Sequence, residues 1–134
     1  KNQTLPADNT VRILLAEDDE LLKQLYSLQI ESWGLPITLE SVTNGIAGLL
    51  KIGEWAPQLL ITDLQMPELD GFQMIRELQQ SPRHEEMKVI VVTALTDAEI
   101  AAAGGLPDNV QLMRKPLLFS DLKERLEQLL SELR

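Results

Sequence analysis

The chain has 134 residues, 44% hydrophobic and 25% charged, which is the balance of one globular domain rather than a disordered segment. Its formal net charge of -9 argues against nucleic-acid binding, because phosphate contacts need clustered lysines and arginines. No cysteine is present, so disulfides and thiolate metal sites are excluded, as fits a cytoplasmic protein, and the apolar runs are too short to span a membrane.

Residues 1–10 are polar and predict a linker, and residues 11–134 predict a single domain made of five strand-then-helix repeats. The strands are predicted at Val11–Ala16, at Ile37–Val42, from Leu59 up to Asp63, at Lys88–Val92 and at Val110–Met113. The helices are predicted from about Leu21 to Trp33, from Gly45 to Trp55, from Phe72 to near Ser81, from a capping box at Thr96–Glu99 to Gly104, and from about Ser120 to Leu133.

Helical crossovers between apolar strands imply a parallel sheet that is doubly wound, with helices on both faces. The expected strand order is 2-1-3-4-5, which places a topological switch point between strands one and three. Ligands of such sheets bind at the carboxyl ends of the strands, beside that point. In the first helix, Leu21, Leu22, Leu25 and Leu28 recur at the spacing of an amphipathic helix.

Chemically capable side chains follow four of the five strands. They are Glu17 and Asp18 after strand one, Asp63 after strand three, Thr93 after strand four and Lys115 after strand five. Three carboxylates at one dry edge repel each other, and a cation or protonation must relieve that repulsion. With oxygen ligands and no histidine or cysteine nearby, the fitting ion is Mg²⁺.

Asp63 is the expected reactive group of this site. Lys115 supplies a positive charge and Thr93 a hydroxyl donor, and together with the ion they would neutralise a phosphoryl group delivered to Asp63. A carboxylate that attacks phosphorus gives an acyl phosphate, which is a known form of covalent catalysis.

These segments resemble the response-regulator receiver domain, the flavodoxin-like phosphoacceptor module of two-component signalling, over residues 11–133. Glu17 and Asp18 are similar to the family's acidic pair, with Asp19 outside it. Asp63 stands where the family has its phosphorylated aspartate, in a segment that runs to Gly71. Val91–Ala94 resembles the switch-threonine segment, and Lys115-Pro116 the lysine–proline pair whose peptide bond is usually cis.

The resemblance implies that Asp63 is phosphorylated by a histidine kinase or a histidine phosphotransfer domain, with Lys115, Thr93 and the backbone amide of Ala94 contacting the phosphoryl group. Mg²⁺ would be held by Asp18, Asp63 and the backbone carbonyl of Gln65, and by Glu17 through water. Such a domain is not a general enzyme, since it catalyses only its own phosphorylation and slow dephosphorylation. Its output, or self-association, would use the face formed by helix four, strand five and helix five.

The chain departs from the family pattern in two places. Leu112 stands three residues before the lysine, where the family usually has a tyrosine or phenylalanine that changes rotamer. The connection from Gly104 to Val110 is longer than usual. We expect phosphoryl transfer to survive both changes, while the route of the signal to strand five is left open.

Two other functions fit the same residues less well. One is a non-switching interaction scaffold, which Leu112 keeps open. The other is a magnesium-dependent phosphatase, which typically needs a second acid two residues after its aspartate, where this chain has Gln65.

We interpret His84 as a solvated loop residue and Trp33, Trp55 and Phe72 as packing residues. Because the chain starts at Lys1 rather than Met, we expect it to be a piece of a longer protein or a processed chain. A receiver from a hybrid kinase, which can be membrane-anchored, a receiver from a multidomain regulator and a stand-alone receiver all stay open.

Overall fold

A computed structural model describes residues 9–133, so that most of the predicted linker, residues 1–8, lies outside the described residues. It shows a five-stranded parallel sheet in the order β2-β1-β3-β4-β5, which confirms the predicted fold class and strand order. The strands are β1 (Val11–Ala16), β2 (Ile37–Val42), β3 (Leu59–Thr62), β4 (Lys88–Thr93) and β5 (Val110–Arg114). The helices are α1 (Glu20–Ser32), α2 (Gly45–Trp55), α3 (Gly71–Gln79), α4 (Asp97–Ala102) and α5 (Phe119–Leu133).

The helices cover both faces of the sheet. Ile13 and Leu15 of β1 pack into one apolar cluster with side chains of α1 and α5. Leu14, between them, points to the opposite face and joins a cluster with α2 and α3. This alternation follows from the two-residue period of a strand, and it explains why β1 is apolar at almost every position. Among residues 9–133, no helix combines the length and hydropathy needed to span a membrane.

The leucines of α1 are mostly exposed, which the sequence pattern did not reveal. Leu21, Leu25 and Leu28 are 77%, 43% and 65% exposed, whereas Tyr26 and Ile30 form the buried side of the helix. Two apolar stripes run along this helix at the same spacing, and periodicity alone cannot decide which of them faces the sheet. Tertiary contacts determine which side of α1 faces the sheet, because the ring of Tyr26 packs edge-on against Phe119 of α5, with 5.5 Å between the ring centroids.

The segment between α3 and β4 is more ordered than expected. Pro82–His84 form a 3-10 helical turn, and His84 is partly buried rather than solvated. Burial, and then the positive charge of Arg83, lower the pKa of His84. The predicted packing roles of the large aromatic residues are confirmed, since Phe72 is buried and Trp33 and Trp55 pack against the two main apolar clusters.

Helix α3 approaches the end of β3 very closely at its first residue. The N–H of Gly71 donates to the carbonyl of Leu64 at 3.1 Å. A Cβ at Gly71 would lie 2.3 Å from the backbone oxygen of Asp63, so only glycine permits this contact. The turn after β3 is therefore held against α3, which fixes the position of Asp63.

Candidate functional site

The carboxyl ends of four adjacent strands lie side by side and carry the predicted site residues. Ala16 pairs with Thr62, so the residues that follow them, Glu17 and Asp63, sit next to each other at this edge. The N–H of Asp63 continues the ladder by donating to the carbonyl of Ala16 at 3.2 Å. The sheet register therefore brings together residues 46 positions apart, which sequence separation alone does not indicate.

Three carboxylates and one ammonium group form the centre of this edge. Glu17, Asp18 and Asp63 each place a carboxylate oxygen within 4.8 Å of the other two. The ammonium of Lys115 lies 2.8 Å from Oδ2 of Asp63 and 3.6 Å from Oε1 of Glu17. Glu17 and Asp63 are 3% and 6% exposed, whereas Asp18 is open to solvent. The cluster is thus buried at Glu17 and Asp63 and open to solvent at Asp18.

Backbone N–H groups orient two of the carboxylates. Asp19 donates to Oε2 of Glu17 at 3.0 Å, and Gln65 donates to Oδ1 of Asp63 at 3.2 Å. Asp19 itself turns away, because its carboxylate accepts the N–H groups of Leu21 and Leu22 at the start of α1. Asp19 is therefore a helix cap, as expected for the acid outside the pair.

Burial and neighbouring charges set the protonation of the cluster. The pKa of Glu17 is raised above its ordinary value, first by burial and further by the charges of Asp63 and Asp18, although the N–H of Asp19 and Lys115 oppose this. For Lys115, burial lowers the pKa, but the hydrogen bond and charge of Asp63 and the charge of Glu17 outweigh burial and leave the pKa raised. Lys115 is thus held as the cation of the cluster.

Thr93 reaches the same edge as the last residue of β4. Its side chain is fully buried, and its hydroxyl oxygen accepts the N–H of Leu95 at 3.0 Å. The N–H of Lys115 donates to the carbonyl of Thr93 at 2.9 Å, which joins the ends of β4 and β5. The next peptide bond, Lys115-Pro116, is cis, as the resemblance implied. The side chains of Ala94 and Gln65, each close in sequence to a site residue, are exposed.

Leu112 lies apart from the acidic cluster, on β5, where it is 37% exposed.

Two residues near the site were not predicted from the sequence. Tyr26 is buried close enough for its pKa to be raised well above the ordinary value, first by burial and then by the charges of Glu17 and Asp63. Arg114 contacts the loop after β4; its position directly before Lys115 was the only signal in the sequence.

The donor set fits a small hard cation. Ligand oxygens about 2.0–2.1 Å from Mg²⁺ lie about 3–4 Å from one another, and the three carboxylates each offer an oxygen within 4.8 Å of the other two. All candidate side-chain ligands are carboxylate oxygens, the type that Mg²⁺ prefers over nitrogen and sulfur. Glu17, Asp18 and Asp63 can therefore hold such an ion, with Lys115 at its side.

The family model described as "Response regulator receiver domain" matches residues 13–127. The chain belongs to this family. The receiver domain is 28% identical to the response regulator receiver protein CpdR of Brucella abortus, over 89% of this chain and 96% of that protein. It is 30% identical to the probable methanogenesis regulatory protein FilR2 of Methanothrix harundinacea, over 93% of this chain and 84% of that protein.

Solved structures give the same assignment. The signal receiver domain of a signal transduction histidine kinase from Syntrophus aciditrophicus superimposes with a TM-score of 0.81 at 27% identity, covering 93% of each chain. These similarities confirm the resemblance found from the motifs and place the chain among the receiver domains of two-component signalling.

The raised pKa of Glu17 predicts how stability depends on pH without divalent cations. Because the pKa of Glu17 is higher in the folded state, its protonation stabilises the fold. This contribution to stability is fully present below the ordinary pKa of 4.5 and is lost as the pH rises through the folded-state pKa. We expect Glu17→Gln, which keeps an oxygen for the N–H of Asp19, to raise the unfolding free energy at neutral pH by about 1 kcal/mol.

Urea unfolding with a chelator, at several pH values, measures this difference. The gain should shrink as the pH falls through the raised folded-state pKa of Glu17 and should be absent below the ordinary value of 4.5, because the parent residue is then protonated as well. Glu127→Gln, on an exposed position of α5, serves as the control and should change little. A gain that is equal at every pH would contradict the assignment to the Glu17 charge.

Proposed function

We propose that this receiver domain is a phosphoacceptor, and that Asp63 takes a phosphoryl group from the phosphohistidine of a histidine kinase or histidine phosphotransfer domain. The observation that carries this proposal is the 2.8 Å ion pair between Lys115 and Asp63 inside a cluster of three carboxylates. This pair places Asp63, a buried aspartate at the end of a strand, next to a cation that can also bind a phosphoryl oxygen.

The chemical step is the transfer of phosphorus from nitrogen to oxygen. A carboxylate oxygen of Asp63 attacks the phosphorus, the P–N bond breaks, and the imidazole leaves with the bonding electron pair and takes up a proton. Lys115 balances charge on the phosphoryl oxygens, and the hydroxyl of Thr93 and the N–H of Ala94 donate hydrogen bonds to them. The domain thus catalyses only its own phosphorylation and later hydrolysis.

Mg²⁺ would be held by Asp18, Asp63 and the backbone carbonyl of Gln65 directly, and by Glu17 through water. When bound, the ion supplies positive charge that lowers the repulsion between the carboxylates and the incoming phosphoryl group. The residues support this assignment because Asp18 is open to solvent and can exchange ligands, whereas Glu17 is fixed by the N–H of Asp19.

The exposed leucines of α1 offer a docking surface for the phosphodonor. Helix α1 begins three residues after Glu17, and Leu21, Leu25 and Leu28 extend from there as an apolar stripe away from the acidic edge. A partner helix that packs on this stripe would carry its phosphohistidine close to Asp63. Apolar side chains arranged at helical spacing are the pattern that helix-in-groove recognition uses.

Phosphorylation would change a second surface, formed by α4, β5 and α5. Thr93 ends β4, so closure of its hydroxyl onto the phosphoryl group would move the loop leading into α4. Leu112 and Leu118, which are 37% and 61% exposed, give this surface apolar contacts for an output domain or a second copy. A phosphorylation-dependent change at this surface is what separates a switch from a constant scaffold.

Phosphorylation at Asp63 can be tested with acetyl phosphate and Mg²⁺, followed by intact-mass measurement. We expect one phosphoryl group on the parent chain and none on Asp63→Asn, which has no nucleophilic carboxylate. Asp70→Asn is the matched control, because Asp70 only caps α3 through the N–H of Gln73 and asparagine caps equally well. Labelling that persists in Asp63→Asn would refute the proposal.

Magnesium binding can be tested by calorimetry on variants of two adjacent acids. Asp18→Asn should weaken Mg²⁺ binding by about tenfold or more, since it removes a charged ligand. Asp19→Asn should leave the affinity close to that of the parent, because Asp19 caps α1 and does not reach the cluster. Equal effects of the two variants would contradict the ligand assignment.

Docking on α1 can be separated from chemistry by comparing two phosphodonors. We expect Leu21→Ala to slow phosphotransfer from a phosphorylated histidine phosphotransfer domain by about fivefold, the loss typical of one contributing interface side chain. Phosphorylation by acetyl phosphate should be unchanged. Leu50→Ala, equally exposed but on α2 at the opposite face of the sheet, is the control. A similar loss with both donors would refute a docking role.

A further inference from the structure

Leu95, in the loop between β4 and α4, has both backbone polar groups hydrogen-bonded. Its N–H donates to the hydroxyl oxygen of Thr93 at 3.0 Å, and its carbonyl accepts a hydrogen bond from Nη1 of Arg114. Through Nη2, the same guanidinium donates to the carboxylate of Asp97, the first residue of α4. One arginine at the end of β5 therefore holds both the loop after Thr93 and the start of the next helix.

This arrangement opposes movement of Thr93 toward Asp63. If the Thr93 hydroxyl closes onto a phosphoryl group, it must either release the N–H of Leu95 or draw Leu95 along with it. Arg114 resists a movement of Leu95 together with Thr93, because its guanidinium holds the carbonyl of Leu95. The backbone of Arg114 is in turn paired with Thr93 in the sheet. The starting position of the loop is thus fixed by Arg114.

The contacts of Arg114 are strong enough to bias the loop but not to lock it. The side chains of Arg114 and Asp97 are 42% and 90% exposed. Ion pairs this open to water contribute little to stability, and salt weakens them further. A phosphoryl group with its own hydrogen bonds to Thr93 and Ala94 can therefore displace them.

We propose that Arg114 is a positioning residue of the phosphorylation switch: its bonds to Leu95 and Asp97 hold residues 94–97 in the unphosphorylated conformation and are released when Thr93 closes. The proposal rests on the phosphoacceptor function above. Release would also separate a guanidinium from a carboxylate beside Leu112, which lies two residues before Arg114 on the same side of β5. The surface offered to an output partner would then change in charge as well as in shape.

The experiment is calorimetric titration of each protein with beryllofluoride, a mimic of the phosphoryl group, at saturating Mg²⁺. Without Arg114 the loop no longer has to break its bonds, so we expect Arg114→Ala to bind beryllofluoride about threefold more tightly. Arg125→Ala is the matched control, because Arg125 joins α5 to Gln111 of β5 at 2.7 Å and does not contact the loop. Its affinity should equal that of the parent.

Asp97→Asn provides an independent variant that leaves β5 unchanged. It should shift the affinity in the same direction by a smaller factor, and it should add nothing in an Arg114→Ala background, because the two residues act through one contact. The affinity for Mg²⁺ alone should be the same in all these variants, which a general disturbance of the site would not produce.

The outcomes separate this proposal from the one on which it rests. Equal or weaker beryllofluoride binding by Arg114→Ala and Asp97→Asn, with normal binding by the parent, would overturn the role of Arg114 alone. Additive effects of the two substitutions would also overturn it. Failure of the parent to bind beryllofluoride would overturn the phosphoacceptor function together with the role of Arg114.

Discussion

The ion pair between Lys115 and Asp63 is the interaction on which the rest of the site depends. Glu17 and Asp63 lose nearly all contact with water, which is costly for charged groups unless a cation stands beside them. The ammonium of Lys115 lies 2.8 Å from the carboxylate of Asp63 and 3.6 Å from that of Glu17, and both carboxylates raise the pKa of Lys115. The lysine thus offsets part of the cost of two buried charges, while the third carboxylate, on Asp18, stays in contact with solvent.

The fold makes this pairing possible by joining distant segments at one edge. Strands β1 and β3 are almost completely buried, and their register places Glu17 beside Asp63 without help from side chains. The close contact of Gly71 with the carbonyl of Asp63 then prevents the turn after β3 from moving away. On the other side, the backbone bond from Lys115 to Thr93 fixes the distance between the ends of β4 and β5. An apolar core therefore provides the rigidity that a cluster of like charges lacks.

The sequence predicted the sheet, its order and the acidic cluster because each strand is an apolar run that stops at a chemically distinctive residue. It did not predict which side of α1 is buried, since that depends on the ring of Phe119 from the other end of the chain. It also missed the partial burial of His84, because the 3-10 turn that carries it has no apolar repeat. Arg114 escaped notice for a similar reason: its partners, a backbone carbonyl and the side chain of Asp97, are set by the loop conformation alone.

The position of Arg114 also bears on the missing aromatic residue at Leu112. An aromatic side chain that changes rotamer signals through packing, whereas leucine at a position 37% exposed can bury little more on rotation. In the proposed switch, the guanidinium of Arg114, which holds the carbonyl of Leu95 and the carboxylate of Asp97, would signal through hydrogen bonds and charge instead. Such a coupling is weak and sensitive to salt, because both groups face water. Under the proposed switch, the free-energy difference between the held and the released loop would therefore be small, and a partner bound at the proposed α4–β5–α5 surface would shift the same equilibrium as phosphorylation of Asp63.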